Sequence, residues 1–397
     1  MSEWRKTTLG EISTKISYGY TESASSEPIG PKFLRITDIA KDRLDWENVP
    51  YCPITKENLD KYLLKTGDIV IARTGATTGS TYTIKSSDPN DVVFASYLIR
   101  YKIDTSLASP FFIDFILRSR VWVGFVEGIK GGSAQPGANA NQFASFELNL
   151  PPLPEQHAIA SVLSSLDDKI DLLHRQNKTL EAMADTLFKQ WFVEEAQISW
   201  PEVSLSALVE TANTGLDAIR RAPIVEEDTG VKCLRIQDIS QNKKFSDWGN
   251  SKVNDKDFER ARLVKDDIIM ARTCSPGIIY FVHADMNAVF NNGLARIRAN
   301  KEETHSLFLY YLFRTRDFIG HIYGISGGTS VQLNMKLGDL LSYKVRFPPK
   351  QDQDGYLAIF KLLEQKIFSN TSQIRSLEKL RNTLLPKLMS GEVRVQK

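Results

Sequence analysis

The residue types that most often carry out chemistry are present in this chain, but their spacing does not assemble a catalyst. Five histidines (His157, His174, His283, His305 and His321) fall at no metal-ligand spacing, and Cys52, Cys233 and Cys274 lie far apart with no Cys-x-x-Cys pair. An odd number of dispersed cysteines argues against a disulfide framework, so small buried or inert thiols are expected. The run Gly75-Ala76-Thr77-Thr78-Gly79-Ser80-Thr81 has the glycines and hydroxyls of a phosphate loop but lacks the lysine that reaches the outer phosphates. Glu364-Gln365-Lys366 has a nuclease flavour, yet it falls inside a periodic helical segment. No general base or metal cluster emerges, so no catalytic, cofactor-binding or metal-binding residue is expected.

What remains is the chemistry of recognition. Arg35, Lys41, Arg43, Arg73, Thr74, Thr77 and Thr78 form one group, and Arg235, Lys243, Lys244, Arg272, Thr273 and Ser275 a second. Such side chains hold phosphates or read guanine edges, and loops on a rigid scaffold are where recognition usually sits. The competing account is structural: Arg35 can pair with Asp38 and Arg73 with Asp68. The glycine-rich residues 131–137 could let a backbone approach a phosphate, or could simply turn.

The elements that must position these groups are written twice. Lys32-Phe33-Leu34-Arg35-Ile36-Thr37-Asp38-Ile39 returns 200 residues later as Lys232-Cys233-Leu234-Arg235-Ile236-Gln237-Asp238-Ile239, with six of the eight residues identical. Asp68-Ile69-Val70-Ile71-Ala72-Arg73-Thr74 returns as Asp267-Ile268-Ile269-Met270-Ala271-Arg272-Thr273, and Gly131-Gly132-Ser133 as Gly327-Gly328-Thr329. Leu150-Pro151-Pro152-Leu153-Pro154-Glu155-Gln156 is echoed by Phe347-Pro348-Pro349-Lys350-Gln351-Asp352-Gln353. Four blocks in one order at nearly constant offset indicate an internal duplication, and solenoids need at least about three shorter repeats, so a pseudo-two-fold protein is expected. Within each copy, β-branched runs such as residues 68–72 and 91–99 alternate with turns, and residues 109–125 and 305–323 carry helical patterns. Residues 13–31 share little with 209–231 although both lead to the same Leu-Arg-Ile strand, so one scaffold carries two different surfaces.

Each copy ends in a long segment of 3.5-residue period. The first places Ile159, Leu163, Leu166, Ile170, Leu173, Leu180, Leu187 and Trp191 on one stripe, with Asn177 and Ala184 in the intervening places. The second places Tyr356, Phe360, Leu363, Ile367, Asn370, Ile374, Leu377, Arg381, Leu384 and Leu388, each 197 residues after its counterpart. A lone amphipathic helix packs on its own domain as readily as on a partner, but two matched seams favour a coiled coil. Asn177 and Asn370 read as devices that fix register at some loss of stability. About 35 helical residues extend roughly 50 Å, the length of a spacer. The prolines of Asn149-Leu150-Pro151-Pro152, which lack the order of the Asn-Pro-Pro-aromatic signature of amino-methyltransferases, read as a rigid helix start. Pro386 is expected to fray or kink the second helix, and the residues from Gly391 to leave the coiled coil.

Composition sets the outer bounds. With 397 residues the chain exceeds one ordinary core, and 42% hydrophobic with 25% charged residues is the balance of a folded, water-soluble protein. No apolar run approaches the ~20 residues that span a bilayer and the N-terminus is polar, so no membrane partner and a cytoplasmic location are expected. A net charge of +2 neither demands nor excludes a nucleic-acid partner. The expected class is α+β, two mixed α/β domains separated by two long helices that form an antiparallel coiled coil. The boundaries are 1–150, 151–197, 198–348, 349–390 and a tail at 391–397.

Residues 33–39, 67–75 and 150–156, together with Thr383-Leu384-Leu385-Pro386-Lys387-Leu388-Met389-Ser390-Gly391-Glu392, closely resemble the specificity subunits of Type I restriction-modification systems over essentially the whole chain. The resemblance implies two target-recognition domains, 1–150 and 198–348, that each read half of a bipartite double-stranded DNA target, with the helices setting the gap. It also implies docking of two modification subunits, which carry S-adenosylmethionine and methylate adenine, and of two restriction subunits that use ATP and Mg. This chain would itself be non-catalytic and cofactor-free. The sequence departs from the pattern at Cys274, where the family has glycine, and at Lys350-Gln351-Asp352, which replaces Leu-Pro-Glu. A coiled-coil scaffold without sequence-specific DNA binding is the alternative.

Overall fold

The computed structural model describes residues 4–40, 44–130, 137–326 and 334–395. The chain divides into two compact units, Met1–Leu172 with Ile374–Lys397, and Leu173–Gln373. The division falls within each of two long helices, Leu153–Lys189 and Lys350–Met389.

The first unit is organised by the strand Asp68–Ala72, an apolar run with no polar alternation. Such a strand has no face for water, and here both are covered. Ile69 and Ile71 join Ile99, Tyr101, Phe112 and Trp122 in one core, whereas Val70 and Ala72 join Leu34, Val92 and Phe94 in another. The antiparallel sheet around it runs Ser13–Tyr18, Leu98–Ile103, Asp68–Ala72, Thr81–Thr83. A parallel pair, Lys32–Leu34 with Val92–Phe94, lies apart from it, and Arg5–Thr8 pairs antiparallel with Glu147–Leu150, which leads into the first long helix.

The second unit repeats this plan. Its sheet runs Val209–Thr214, Leu294–Ala299, Ile268–Ala271, Ile279–Phe281. Ile268 and Met270 face one core, Ile269 and Ala271 the other. Lys232–Leu234 pairs parallel with Ala288–Phe290, and Glu202–Ser204 antiparallel with Lys344–Arg346. Even the irregularity is duplicated: the register shifts between Ser13 and Lys15 in one sheet and between Val209 and Thr211 in the other. The expected α+β class with an internal repeat is therefore the observed one.

Local chemistry corrects two sequence expectations. Residues 109–125 and 305–323 each form two helices instead of one: Pro110–Ile116 with Arg120–Ile129, and Ser306–Leu312 with Arg316–Ile325. The restart is set by side-chain caps, Ser119 accepting from the Trp122 amide and Thr315 from the Phe318 amide, which satisfy donors that a new helix start exposes. The second long helix also runs through Pro386 to Met389. Proline forfeits one hydrogen bond there, but it lies in the last turn, where Leu384, Leu385, Leu388 and Met389 pack on the first unit's core. Gly391, at φ +74°, follows the helix end.

The proline-glutamine blocks that open the long helices act as anchors. Buried Gln156 donates to the Pro151 carbonyl (2.8 Å) and accepts from the Ser109 amide (2.8 Å). Buried Gln353 donates to the Pro348 carbonyl (2.9 Å) and accepts from the Thr304 hydroxyl (2.8 Å). Ile159, Leu163, Ile170, Leu173, Asn177 and Ala184 are buried, as are Phe360, Ile367, Asn370, Ile374 and Leu388; Leu166, Leu180, Leu187, Leu363, Leu377 and Leu384 are half-buried. Within the second unit Trp191 packs on Tyr356 (4.7 Å between rings), and Asn370 donates to Asn177 (2.9 Å), which in turn donates to Thr371 (3.2 Å). Within the first unit Asp167 meets Arg381 (2.8 Å) and Glu155 meets Arg394 (3.7 Å). In each unit, residue numbers rise on one helix as they fall on the other, so the paired segments are antiparallel.

Arginines following the first short helix tie each globular part to a long helix. Arg118 bridges Asp114 and Asp167, and Arg314 forks onto both oxygens of Asp185 (2.6 and 2.5 Å). Burial alone would raise the Asp167 carboxyl, but the Arg118 and Arg381 guanidiniums outweigh it and hold the group below the usual carboxylate range. A depressed folded pKa gives stabilisation that is complete above the unfolded value of about 4 and disappears as pH falls through the folded value. Asp167→Asn is expected to lower stability by roughly 1.5–3 kcal/mol at pH 7. Urea unfolding of both proteins should show that gap closing below about pH 4; a gap unchanged down to pH 2 would rule the ion pairs out as its source.

Candidate nucleic-acid interface

Part of the candidate set, Arg73, Thr74, Thr77 and Thr78 in one unit and Arg272, Thr273 and Ser275 in the other, follows an inner strand of the main sheet. In the first unit Arg73 and Thr74 leave the strand Asp68–Ala72; the Arg73 amide donates to the Tyr97 carbonyl (3.0 Å) and its carbonyl accepts from Ala138 (2.9 Å). Thr74 bridges Gly137. In the second unit the Arg272 amide donates to the Gly293 carbonyl (3.0 Å), its carbonyl accepts from Met335 (2.8 Å), and Thr273 bridges Asn334. These bonds align the copies residue by residue: Arg73 with Arg272, Tyr97 with Gly293, Gly137 with Asn334. Sheet register adds Tyr18 with Thr214, which face Ile99 and Ala295 respectively.

The two arginines are held differently. Arg272 spends its fork within its own unit, reaching the Met335 carbonyl (3.4 Å), the Asn292 carbonyl (3.3 Å) and the Asn334 side chain (3.1 Å). Arg73 lies over the Tyr18 ring at 5.0 Å and makes no side-chain hydrogen bond or ion pair among the described residues. Tyr18 is itself fixed. Its hydroxyl accepts from the Ala140 amide (3.3 Å), and Gly19 brings the backbone so close to Ala95 that an added Cβ would sit 2.3 Å from that carbonyl oxygen. Gly215 repeats the close approach in the second unit, against Asn291 at 2.3 Å.

The other candidates divide between surface and scaffold. Arg35 forks onto Asp38 (3.0 and 2.9 Å) while Asp38 caps the Arg35 amide (2.9 Å), and this hydrogen bonding raises the Arg35 pKa. Arg235 and Asp238 repeat the arrangement (3.0, 3.2 and 3.0 Å), with Lys243 also 3.4 Å from Asp238. Thr77 and Thr78 fold their hydroxyls back onto the Thr74 and Gly75 carbonyls (3.3 and 2.7 Å). The Gly75–Thr77 turn joins two antiparallel strands, not a strand to a helix, which is not phosphate-loop geometry. Lys244 and Ser275 are exposed, and Cys274 takes φ +61°, the left-handed conformation that Gly75 takes at φ +73°. Lys41 and Arg43, like the glycine-rich stretches at 131–136 and 327–333, lie outside the described residues.

Sequence reasoning passed over Arg100 and Arg296. Asp68 does not pair with Arg73; its partner is Arg100 (3.7 Å), a 3% exposed guanidinium that donates to the Leu63 and Lys61 carbonyls (3.0 and 3.1 Å) over the Phe94 ring. Arg296 repeats this with Asp267 (3.7 Å), the Arg262 and Arg260 carbonyls (both 3.0 Å) and Phe290, although Asp267 is met more closely by Arg298 (2.6 Å). Burial lowers both arginine pKa values and raises that of Asp68. The signal was the duplicated Leu-x-Arg of Leu98-Ile99-Arg100 and Leu294-Ala295-Arg296. Among the described residues there is no group of three or more His, Cys, Asp or Glu that could hold a metal, and no helix long and apolar enough to cross a membrane.

Comparison with known proteins agrees with the duplicated plan. The family model for the Type I restriction modification DNA specificity domain matches residues 1–182 and again residues 200–379. The Type I restriction enzyme MjaIX specificity subunit of Methanocaldococcus jannaschii is 26% identical over 352 residues, 83% of this chain and 76% of that one. The Type I restriction enzyme HindI specificity subunit of Haemophilus influenzae is 22% identical over 471 residues, 99% of this chain and 100% of that one. A Type-I restriction-modification system S subunit from M. genitalium shares the fold, with a TM-score of 0.62 and 18% identity over 97% of this chain and 96% of that one.

The buried arginines should be the most sensitive positions near the interface. Arg100→Leu leaves the buried Asp68 carboxylate without its ion-pair partner and is expected to cost about 3–5 kcal/mol in denaturant unfolding, and Arg296→Leu less, because Asp267 keeps Arg298 at 2.6 Å. Arg73→Leu, with no side-chain hydrogen bond among the described residues to lose, should change stability by less than about 1 kcal/mol. Equal losses would contradict the division between scaffold and surface.

Proposed function

The chain belongs to the Type I restriction modification DNA specificity domain family, and from that premise we propose that it is the non-catalytic subunit that reads an asymmetric, bipartite duplex target. The observation that carries this reading is the pairing of a repeated scaffold with unlike recognition surfaces. Strand order in the main sheet, bulge position and buried Asp–Arg pair are the same in both units, whereas the side chains around Arg73 and Arg272 differ. Residues 1–150 and 198–348 act as the two recognition domains, each addressing its own half-site from the major groove. Phosphate contacts supply salt-dependent affinity, and a few loop side chains supply about 1–3 kcal/mol of discrimination per base pair.

The long helices, residues 151–197 and 349–390, set the interval between half-sites and receive two modification subunits, with residues 391–397 as a tail. Those subunits bring S-adenosylmethionine and methylate adenine, and two restriction subunits bring ATP- and Mg-dependent translocation and cleavage. The chemistry lies in these partners. The chain's own contribution is geometric, since the helices extend about 1.5 Å per residue.

Selection from random duplex DNA, with the chain alone and bound to its modification partner, is expected to enrich two unlike half-sites at fixed spacing. No enrichment in either form would favour a scaffold without sequence-specific binding. Inserting four residues into each long helix is expected to lengthen the preferred interval by about 6 Å, nearly two base pairs. An unchanged interval would show that the helices do not set it.

A further inference from the structure

Resting on that reading, we propose that Arg73 reads a guanine in the half-site of the first recognition domain, and that its counterpart Arg272 reads no base. Three replacements at aligned positions support the difference. Where the second unit has Asn334, whose side chain takes the Arg272 fork at 3.1 Å, the first has Gly137, which has no side chain to offer. An added Cβ there would also lie 3.1 Å from the Arg73 carbonyl oxygen. Where the second unit has Thr214 and Gly293, the first has Tyr18 and Tyr97, rings that stay 42% and 55% exposed.

The consequence follows from guanidinium geometry. A carbonyl or amide oxygen engages the N–H edges of the fork, and Arg272 gives three such contacts to Asn292, Asn334 and Met335. An aromatic ring engages the face and leaves the edges open. Arg73, over the Tyr18 ring at 5.0 Å and with no side-chain hydrogen bond among the described residues, is therefore oriented without being consumed. An arginine fork held in place with its donors unspent matches the O6 and N7 acceptors of guanine, the commonest specific contact in the major groove. The Tyr18 ring is pinned at both ends, by its hydroxyl on Ala140 and by the tight passage of Gly19, so little ordering is left for the moment of binding.

The test is selection from random duplex DNA with the full chain, alone and with its modification partner, comparing wild type with Arg73→Lys, Arg73→Ala, Tyr18→Leu and Arg272→Lys, each checked by thermal unfolding. Arg73→Lys keeps the charge but not the fork. It is expected to lose about 5- to 150-fold preference for guanine at one position of one half-site, leaving the other half-site and the salt dependence intact. Arg73→Ala should lose the same preference and lessen the salt dependence; Tyr18→Leu should weaken the preference with the arginine still present. Arg272→Lys should leave every base preference unchanged or blur its whole half-site. The proposal is overturned if Arg73→Lys selects the wild-type motif, if folded Arg73→Ala loses both halves together, or if Arg272→Lys loses one guanine. Failure of wild type to select any motif would instead bring down the DNA-reading function itself, and this proposal with it.

Discussion

A strand with no solvent face is the constraint on which each unit depends. Because Ile69 and Ile71 bury on one side of Asp68–Ala72 and Val70 and Ala72 on the other, the strand must be covered by two layers. A one-residue slip would exchange every side chain between cores. Its first residue is a carboxylate that is also buried, and Arg100 must come from the neighbouring strand to meet it. Register, layer order and charge pairing are thus settled together, and the strand delivers its next residue, Arg73, to one definite place. Asp267, Arg296 and Arg272 repeat the logic.

Once the framework is fixed so firmly, variation can be confined to what hangs on it. The same arginine position is held in opposite ways: its donors go to Asn292, Asn334 and Met335 in one copy, whereas in the other it lies over Tyr18 with no side-chain hydrogen bond among the described residues. Neither use disturbs the strand register, because the backbone bonds of Arg73 and Arg272 are the same in both copies. Function can therefore diverge between copies by exchanging a few side chains at one level of the fold. The folding problem is left untouched.

Much of this was legible before any coordinates. The duplication was readable because each copy must satisfy the same buried contacts, which leaves Asp-Ile-Val-Ile-Ala and Asp-Ile-Ile-Met-Ala little room to drift. The helices were readable because a 3.5-residue stripe persists over about nine turns. Less visible were features that depend on residues distant in sequence. Ser119 and Thr315 look like ordinary helix residues until their hydroxyls are seen capping a restart, and Pro386 reads as a breaker until the last turn is found held down by Leu384, Leu385, Leu388 and Met389. Arg100 escaped notice because a buried charge in an apolar run is recognisable only with its partner 32 positions earlier. The Arg73–Asp68 pairing weighed from sequence was natural for neighbours but impossible for a strand whose side chains alternate.

Cys274 carries a practical consequence. Of the three thiols it alone is exposed; burial pushes the other two up, Cys52 to about 11 and Cys233 to about 12. It stands immediately after Thr273, in a left-handed conformation. A maleimide dye added to the native protein would therefore mark a single site without any cysteine having to be removed. On the function proposed above, the fluorescence of that dye would report, in real time, when a duplex arrives at the loop that follows Arg272.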